Sequence, residues 1–252
     1  MTDRFSLTGH HALVTGASSG LGRHFAGVLS AAGATVTVGA RRENALTDTV
    51  AQLDAGRAQA VRLDVTDLAS VAQAFAAAET RFGPVTVVIN NAGITSTGAA
   101  LEMTEADWSS VLDTNLRGTW LVAQQAARGM AAHGGGSIVN IASILGLRVT
   151  GGVAPYAVSK AGVVHMTKAL ALEWARHRIR VNALAPGYIE TELNDAFFAS
   201  DPGKALIRRI PQRRLGELRE LDGPLLLLAS DAGSFMTGSV VTVDGGHLVS
   251  GL

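Results

Sequence analysis

Short apolar runs rich in β-branched residues alternate along the chain with longer segments in which Ala and Leu recur at helical spacing. Several runs are apolar at nearly every position, which is typical of strands buried on both faces of a parallel sheet. The pattern predicts strands at Ala12–Thr15, Thr35–Gly39, Gln59–Leu63, Val85–Asn90, Ser137–Ala142, Arg180–Ala185 and Val240–Val243. It predicts helices at about Gly20–Ala32, Glu43–Ala55, Leu68–Phe82, Glu105–Ala132, Ala154–His177 and Glu217–Ser230.

Strand–helix alternation of this kind gives right-handed crossovers and a doubly wound parallel sheet, so we expect one α/β domain spanning residues 1–252. One irregular region, at about 188–215, breaks the alternation just before the last helix. A long excursion in a compact domain is often a lid over a binding site, and a simple surface insertion is the alternative.

Charge and cysteine content exclude several classes of function. The 252 residues contain 21 Lys plus Arg and 21 Asp plus Glu, and this zero balance argues against nucleic acid or an anionic membrane as partner. With no cysteine, disulfides, thiolate zinc sites and Cys nucleophiles are impossible. The seven histidines show no metal-ligand spacing, and His10 and His11 are expected at the surface. No signal peptide or spanning segment is visible, so we expect a cytoplasmic protein.

A glycine-rich turn follows the first predicted strand. Gly16, Gly20 and Gly22 follow a Gly-x-x-x-Gly-x-Gly spacing, which allows a tight turn and close approach of backbone to a ligand. The helix that follows offers free N–H groups to a pyrophosphate. An ordinary strand–helix loop is the alternative for this turn taken alone. No Gly-Lys-Ser/Thr is present, which argues against a nucleotide-hydrolysing P-loop.

Tyr156 and Lys160 lie four residues apart at the start of a predicted helix and therefore share one face. A lysine ammonium there can lower the tyrosine pKa from ~10 toward working pH, which suits a general acid or base. Ser143 ends the preceding strand, at the carboxyl edge where open α/β sheets bind ligands. A Tyr-x-x-x-Lys spacing alone is usually a chance occurrence. The catalytic interpretation of the pair therefore depends on Ser143 at the carboxyl edge of the predicted sheet.

Taken together, these motifs resemble the classical short-chain dehydrogenase/reductase family over essentially the whole chain. Further matching segments are Asp64-Val65, Asn90-Asn91-Ala92-Gly93, Asn115, and Pro186-Gly187 with Thr191. The resemblance implies a Rossmann-type fold, a seven-stranded parallel sheet flanked by helices, and an NAD(P)-dependent oxidoreductase. The implied catalytic residues are Asn115, Ser143, Tyr156 and Lys160. The implied cofactor-binding residues are Gly16, Ser18, Ser19, Gly20, Leu21, Gly22, Arg41, Arg42, Asp64, Val65, Asn91, Ala92, Gly93, Tyr156, Lys160, Pro186, Gly187, Ile189 and Thr191.

By the same resemblance, Tyr156 transfers the substrate proton and Lys160 binds the nicotinamide ribose while lowering the tyrosine pKa. Ser143 holds the substrate oxygen as charge develops on it, and Asn115 places a water that links Lys160 to solvent. The hydride belongs to the cofactor. The implied substrate-binding residues are Ser143, Leu145, Val153, Tyr156 and Tyr188.

The end of the second strand predicts a preference for NADP(H), with NAD(H) still possible. An NAD site needs an acidic residue there, and the matching position is Ala40. Arg41 follows, and its guanidinium can bind a 2′-phosphate in bidentate fashion. Arg42 is expected to face water.

The substrate prediction is a small or medium apolar ketone or alcohol. Ile144–Leu147 follows Ser143, and the irregular region offers Tyr188, Leu193, Phe197 and Phe198, which together form an apolar wall. The arginine-rich run 208–214 could attract an acidic substrate, but a solvated surface is the favoured interpretation.

Three alternatives remain open. The first is a 3-oxoacyl-(acyl-carrier-protein) reductase, although two arginine positions by which such family members bind the acidic carrier fall at Gly134 and Leu172. The second is a non-catalytic NAD(P)-sensing protein on the same fold. The third is an epimerase or dehydratase, for which 252 residues leave little room. The resemblance also implies a homotetramer, or failing that a dimer, packed through helices near 105–132 and 154–177. Trp108, Trp120 and Trp174 are expected to pack inside the protein.

Overall fold

Seven parallel strands form the centre of the fold in the computed structural model, which describes residues 4–190 and 195–250. They lie in the order β3-β2-β1-β4-β5-β6-β7, and every neighbouring pair is parallel. The strands are β1 (His11–Thr15), β2 (Thr35–Ala40), β3 (Ala58–Arg62), β4 (Val87–Asn90), β5 (Gly136–Ile141), β6 (Ile179–Pro186) and β7 (Val240–Val243). The doubly wound parallel sheet predicted from the sequence is confirmed.

Helices cover both faces of the sheet. They are α1 (Gly20–Ala31), α2 (Glu43–Val50), α3 (Leu68–Phe82), α4 (Glu105–Leu112), α5 (Gly118–Ala132), α6 (Ala154–Trp174), α7 (Asp195–Ala199), α8 (Asp201–Ile207) and α9 (Asp222–Ala229). Strand β1 explains the apolar runs: Ala12 and Val14 belong to one core cluster with Phe25, whereas Leu13 belongs to the cluster on the opposite face with Phe75. Because successive strand residues point to opposite faces, a strand covered on both sides must be apolar throughout.

The helices depart from prediction in the middle and near the end of the chain. The predicted helix Glu105–Ala132 is divided by one turn of π-helix at Asp113–Arg117. The region predicted as irregular contains α7 and α8. Pro202 lies in the first turn of α8, where a proline is tolerated because its missing N–H would be unpaired anyway, and Ser200 Oγ caps the helix by accepting from Gly203 N at 3.3 Å.

The expectation that His11 lies at the surface is wrong. His11 is buried at 3% exposure, with Nε2 at 2.8 Å from Thr37 Oγ1 and Nδ1 at 2.8 Å from Gly83 O. It begins the central strand β1, so helices on both faces leave no route to solvent. Burial lowers the pKa of His11, which keeps the imidazole neutral.

The chain reverses direction across the sheet at β1. From β1 the connections run outward to β2 and β3, and then return to β4 on its other side. The carboxyl ends of β1 and β4 therefore flank a crevice, the position at which doubly wound sheets bind ligands. No helix in the described ranges is long and apolar enough to cross a membrane.

Candidate active site

The glycine-rich turn lies at the carboxyl end of β1, packed against the loop that follows β4. Gly16 has φ +65, a conformation that favours glycine. A Cβ added to Gly16 would lie 2.8 Å from Ala92 Cα, and one added to Gly22 would lie 2.4 Å from Gly16 O. Helix α1 begins at Gly20 with no side-chain cap from Ser19, so its first N–H groups remain available to an anion.

Replacing Gly22 with Ala is expected to lower the free energy of unfolding by about 1–3 kcal/mol, because the methyl group forces the turn apart. It is also expected to weaken binding of a dinucleotide at this turn. The matched control is Gly27→Ala in the same helix, where an added Cβ meets nothing within 4 Å and stability should rise by roughly 0.5–1 kcal/mol. Urea denaturation measures both; equal effects of the two substitutions would contradict the packing of this turn.

Asn91 and Ala92 hold the loop after β4 against the turn. Asn91 Nδ2 donates to Thr15 O at 3.0 Å and to Gly16 O at 3.3 Å. Thr15 Oγ1 accepts from the amides of Asn91 and Ala92, each at 3.0 Å. Gly93 follows on the exposed side of this loop. The Asn-Asn-Ala-Gly segment therefore fixes the distance between the ends of β1 and β4 through hydrogen bonds.

Arg42 is exposed, as the sequence predicts, and its guanidinium also lies over the glycine-rich turn. Its Nη2 donates to Ser18 Oγ at 2.9 Å and to Ser19 Oγ at 3.1 Å. Arg42 is the residue immediately before α2, and the start of that helix directs its side chain back across the end of β1. The guanidinium and two hydroxyls form a group of donors suited to a phosphate.

Arg41 faces a different neighbour. Its positive charge contributes to a lowered pKa of Asp64, although hydrogen bonds from Thr66 are the larger cause. Asp64 Oδ1 accepts from Thr66 N at 3.0 Å and from Thr66 Oγ1 at 2.7 Å, and Val65 beside it is buried. Of the two adjacent arginines, Arg42 is therefore the one that bonds to the glycine-rich turn.

Ser143 and Tyr156 meet beyond the carboxyl end of β5. Ser143 is buried, and its Oγ accepts from Leu145 N at 3.1 Å. Tyr156 lies in the first turn of α6, which begins at Ala154 with Pro155 in its first turn. The Tyr156 hydroxyl lies close enough to the Ser143 side chain for the serine to act on the pKa of the phenol.

Lys160 follows one turn later on the same helix face as Tyr156. Only 5% of Lys160 is exposed, its Nζ donates to Ile141 O at 2.7 Å, and it lies 5.6 Å from the centre of the Tyr156 ring. The structure therefore brings together the three residues that the sequence predicts as a catalytic group.

Protonation in this group differs from the expectation that Lys160 lowers the tyrosine pKa. Burial raises the pKa of Tyr156, and the Ser143 side chain acts against it with smaller effect. Burial lowers the pKa of Lys160 to about 8. Desolvation disfavours both charged forms, and the ammonium is bonded to a backbone carbonyl rather than to the phenol. Tyr156 is thus a protonated phenol at neutral pH, the form that donates a proton.

Lys160 gives the protein a pH-dependent stability. The folded-state pKa of about 8 lies below the ordinary 10.5, so between these values the unfolded chain binds more protons than the folded one. The free energy of unfolding should therefore rise with pH in this window. Relative to Lys160→Met, the free energy of unfolding of wild type is expected to rise by on the order of 1–3 kcal/mol across this pH window. Urea denaturation of both proteins at several pH values tests this; a constant difference between them would contradict it.

Asn115 occupies the π-helical turn and is completely buried. Its Oδ1 accepts from Ile94 N and its Nδ2 donates to Ile94 O, both at 2.8 Å, and Nδ2 also donates to Ser159 Oγ at 3.1 Å. Ser159 in turn donates to Tyr156 O at 2.7 Å. Asn115 thereby ties the loop after β4 to the first turn of α6. Its expected role in placing a water stays a prediction.

The remaining predicted residues border the crevice from β6 onward. Pro186 ends β6, and Gly187 N donates to Val243 O at 2.8 Å. Ile189 is buried and forms a bridge with Gly216, whereas Thr191, like Leu193, lies outside the described residues. Val153 immediately precedes α6, half-buried.

Leu145 and Tyr188 line a cavity of about 960 Å³. The same cavity is lined by Arg208, Arg209 and Arg213, which are exposed to solvent as the sequence predicts. Their approach to Tyr188 depends on α8 and the turn after it, which sequence patterns do not reveal.

Several residues of the site were not found from the sequence. Arg23 Nη2 donates to Ser18 O at 2.7 Å and its Nε to Thr49 Oγ1 at 3.1 Å, which holds the glycine-rich turn from α1. Ser159, between Tyr156 and Lys160, is a second such residue, because a helical pattern alone does not show its bonds to Asn115 and Tyr156 O. Among the described residues, no group of three or more His, Asp or Glu side chains is placed to hold a metal ion.

Comparison with known proteins agrees with this geometry. Residues 16–247 match a family model described as enoyl-(acyl carrier protein) reductase. The chain is 39% identical over 251 residues to gluconate 5-dehydrogenase of Gluconobacter oxydans (strain 621H), covering 98% of each sequence. It is 38% identical over 248 residues to the 3-oxoacyl-[acyl-carrier-protein] reductase FabG of Thermotoga maritima, covering 96% of this chain and 99% of that one.

A solved structure shares the whole architecture. It is a gluconate 5-dehydrogenase from Burkholderia cenocepacia J2315 in complex with NADP and tartrate, 37% identical, with a TM-score of 0.92 and 99% of each chain covered. The chain belongs to the classical short-chain dehydrogenase/reductase family. It is an NAD(P)-dependent oxidoreductase, as the sequence predicts.

Proposed function

We propose that the protein interconverts a small secondary alcohol and its ketone, using NADP(H) in preference to NAD(H), with Tyr156 as the general acid and base. The observation that carries the proposal is the meeting of Ser143, Tyr156 and Lys160 beside a glycine-rich turn whose helix N-terminus has no side-chain cap.

The proton chemistry follows from the hydrogen bonds of this group. Tyr156 is a phenol at neutral pH and can donate its proton to the oxygen of a ketone as that oxygen gains negative charge. Ser143 Oγ already accepts the Leu145 amide, so its own hydroxyl hydrogen can turn to the same oxygen. In the reverse direction the substrate hydroxyl returns its proton to Tyr156.

The crevice fits a dinucleotide, because Gly20 at the start of α1 borders open space and the first N–H groups of that helix have no side-chain cap. The N-terminus of α1 would hold the pyrophosphate, Asp64 and Val65 the adenine side, and Lys160 the ribose. The nicotinamide side would rest against Pro186, Gly187 and Ile189, close to Tyr156. When bound, this cofactor supplies or accepts the hydride.

The preference for NADP(H) rests on charge at the end of β2. Arg42, Ser18 and Ser19 offer hydrogen-bond donors, and Ala40 places no carboxylate among them. The Burkholderia relative was crystallised with NADP, which supports the same choice.

The test of the proposed function is a change in reduced-nicotinamide absorbance with a panel of ketones and secondary alcohols and each cofactor. We expect turnover with NADP(H) and weaker turnover with NAD(H). Cofactor binding without turnover of any substrate would instead favour the non-catalytic sensing protein.

A carrier-bound 3-oxoacyl substrate is a second candidate, favoured by the Thermotoga relative. Gly134 and Leu172 weigh against it: both are exposed and uncharged where carrier-binding relatives are expected to present arginine. Rapid reduction of a 3-oxoacyl carrier thioester, with none of small ketones, would favour this candidate over the first.

We also propose a cytoplasmic homotetramer, with a dimer as the alternative. Trp108 on α4, Trp120 on α5 and Leu172 on α6 are 42%, 39% and 83% exposed. The first two values correct the expectation that these tryptophans pack inside the subunit. Large apolar side chains left exposed on neighbouring helices support burial between subunits.

A further inference from the structure

A cavity of about 960 Å³ opens beside the proposed catalytic hydroxyls, near the upper end of the size range of about 300–1,000 Å³ typical of small-molecule sites. Its apolar lining includes Tyr188 together with Ile144 and Leu145, which directly follow Ser143. Leu145 lines the cavity and its amide donates to Ser143 Oγ at 3.1 Å, so the cavity adjoins the proposed catalytic group.

The outer rim of the cavity carries positive charge. It is lined by Arg148, Arg208, Arg209 and Arg213, and no Asp or Glu appears among the described residues that line it. Arg213 adopts φ 58, a conformation that non-glycine residues rarely take, in the turn that brings the arginines after α8 to this rim.

None of the four rim arginines is paired with a carboxylate in the described ranges. Arg148 Nη1 donates to His247 O at 2.8 Å and to Ser250 Oγ at 3.0 Å, and Arg213 donates to the carbonyl of Arg208. The guanidinium groups of Arg208 and Arg209 have no hydrogen bond or ion pair within the same ranges. By contrast, neighbouring Arg214 is paired with Glu220 at 2.7 Å.

His247 also lines the cavity, and its pKa is affected by the positive charge of the rim arginines. The ring lies 5.5 Å from that of Tyr188, and its Nδ1 is buried without a partner among the described residues. Burial and the charges of Arg148 and Arg209 lower the pKa of His247, against the opposing charge of Asp244. The group therefore stays neutral and can donate or accept a hydrogen bond within a field that attracts anions.

We infer that the substrate carries a carboxylate, so that the protein acts on a hydroxycarboxylate or the corresponding oxocarboxylate. The inference rests on the proposed function. The carboxylate binds at the rim arginines, while the carbinol carbon lies against the apolar wall beside Tyr156. In the direction of reduction, bound NADPH would supply hydride to the carbonyl carbon, the Tyr156 phenol donates its proton to the carbonyl oxygen, and a hydroxycarboxylate forms. Oxidation is the reverse reaction and starts from the Tyr156 phenolate. Arginine suits this role because its planar fork binds a carboxylate in bidentate fashion.

The experiment compares oxocarboxylates of increasing length, 3-oxobutanoate, 4-oxopentanoate and 5-oxohexanoate, with their primary amides. The acid-to-amide ratio of kcat/KM is measured for wild type, for Arg208→Gln with Arg209→Gln, and for Arg148→Gln. In wild type the ratio should exceed roughly tenfold for at least one length, and the double variant should lose roughly tenfold or more of it, since a charge-assisted bond is worth 10-fold to 150-fold. Added salt should lower the ratio, because exposed charges are screened.

The matched control is Arg219→Gln, which removes an exposed arginine paired with Glu217 and outside this cavity, and should keep the wild-type ratio. Equal use of acids and amides in wild type, or a ratio untouched by the rim variants, would overturn the inference while leaving the proposed function intact. A preference for a phosphate ester, or for a carrier thioester with no use of free acids, would overturn it also. Absence of turnover with every ketone would instead contradict the proposed function.

Discussion

Replacing Tyr156 with Phe is expected to lower kcat by about 10²–10⁴-fold while leaving the Kd for NADPH nearly unchanged. Phe keeps the ring that packs beside Lys160 but lacks the hydroxyl that carries the proton. Because burial raises the pKa of this phenol, wild type holds it protonated through neutral pH, and the variant has no other phenol at that position. Steady-state kinetics give kcat, and calorimetric titration gives the cofactor Kd.

Tyr188→Phe is the comparison variant, because Tyr188 is the only other tyrosine in the chain. Its ring packs against those of Phe198 and His247, at centroid distances of 5.8 and 5.5 Å. Loss of this hydroxyl should alter KM far more than kcat. A Tyr156→Phe enzyme within threefold of the wild-type kcat would show that the proton comes from another group.

The second large effect concerns the choice of cofactor. Wild type is expected to favour NADPH over NADH by at least roughly tenfold in kcat/KM, the lower end of what one charge-assisted bond supplies. Ala40→Asp should reverse the preference, since a carboxylate at the end of β2 accepts from ribose hydroxyls and repels a 2′-phosphate. The same carboxylate would draw Arg42 away from Ser18 and Ser19.

The two arginines after Ala40 are replaced one at a time. Arg41 is the residue that the sequence favours, whereas Arg42 is the residue held over the glycine-rich turn. We expect Arg42→Ala to lose most of the NADPH-over-NADH preference in kcat/KM. Arg41→Ala should lose less of it, because the charge of Arg41 acts on Asp64. Arg57→Ala, which removes an arginine paired with Asp54 before β3, is the control. A wild-type preference for NADH would refute this account of the β2 end.

The sheet could be predicted from the sequence because its cause is local and repeated. Each strand between two helical layers must be apolar at consecutive positions, and each change to helical spacing marks a crossover. The π-helical turn around Asn115 could not be predicted in this way, because α4 and α5 share one continuous helical pattern in the sequence. The prediction that His11 lies at the surface was wrong for a related reason. A polar residue type does not reveal that Thr37 Oγ1 and Gly83 O form hydrogen bonds with the buried imidazole.

The proposed catalytic residues were predictable because spacing along one helix fixes them, as for Tyr156 and Lys160. Their protonation was not, since it depends on burial and on the bond from Lys160 to Ile141 O. The charged rim was also missed. Arg148 and Arg209 are far apart in the chain, and only the turn after α8 brings them to one cavity. Pairing between charges is a property of the fold rather than of composition.

The π-helical turn at Asp113–Arg117 also limits how the length of this chain can change during evolution. A π turn holds one more residue than an α turn, so losing a single codon here would leave a regular helix without breaking the chain. Downstream side chains would keep their directions, because the wide turn already absorbs the extra residue, so Val122 and Met130 of α5 would stay in the core. The loss would fall on Asn115, whose bonds to Ile94 and Ser159 depend on its place in the turn. The site, rather than the packing of α5, therefore limits changes of length at this point.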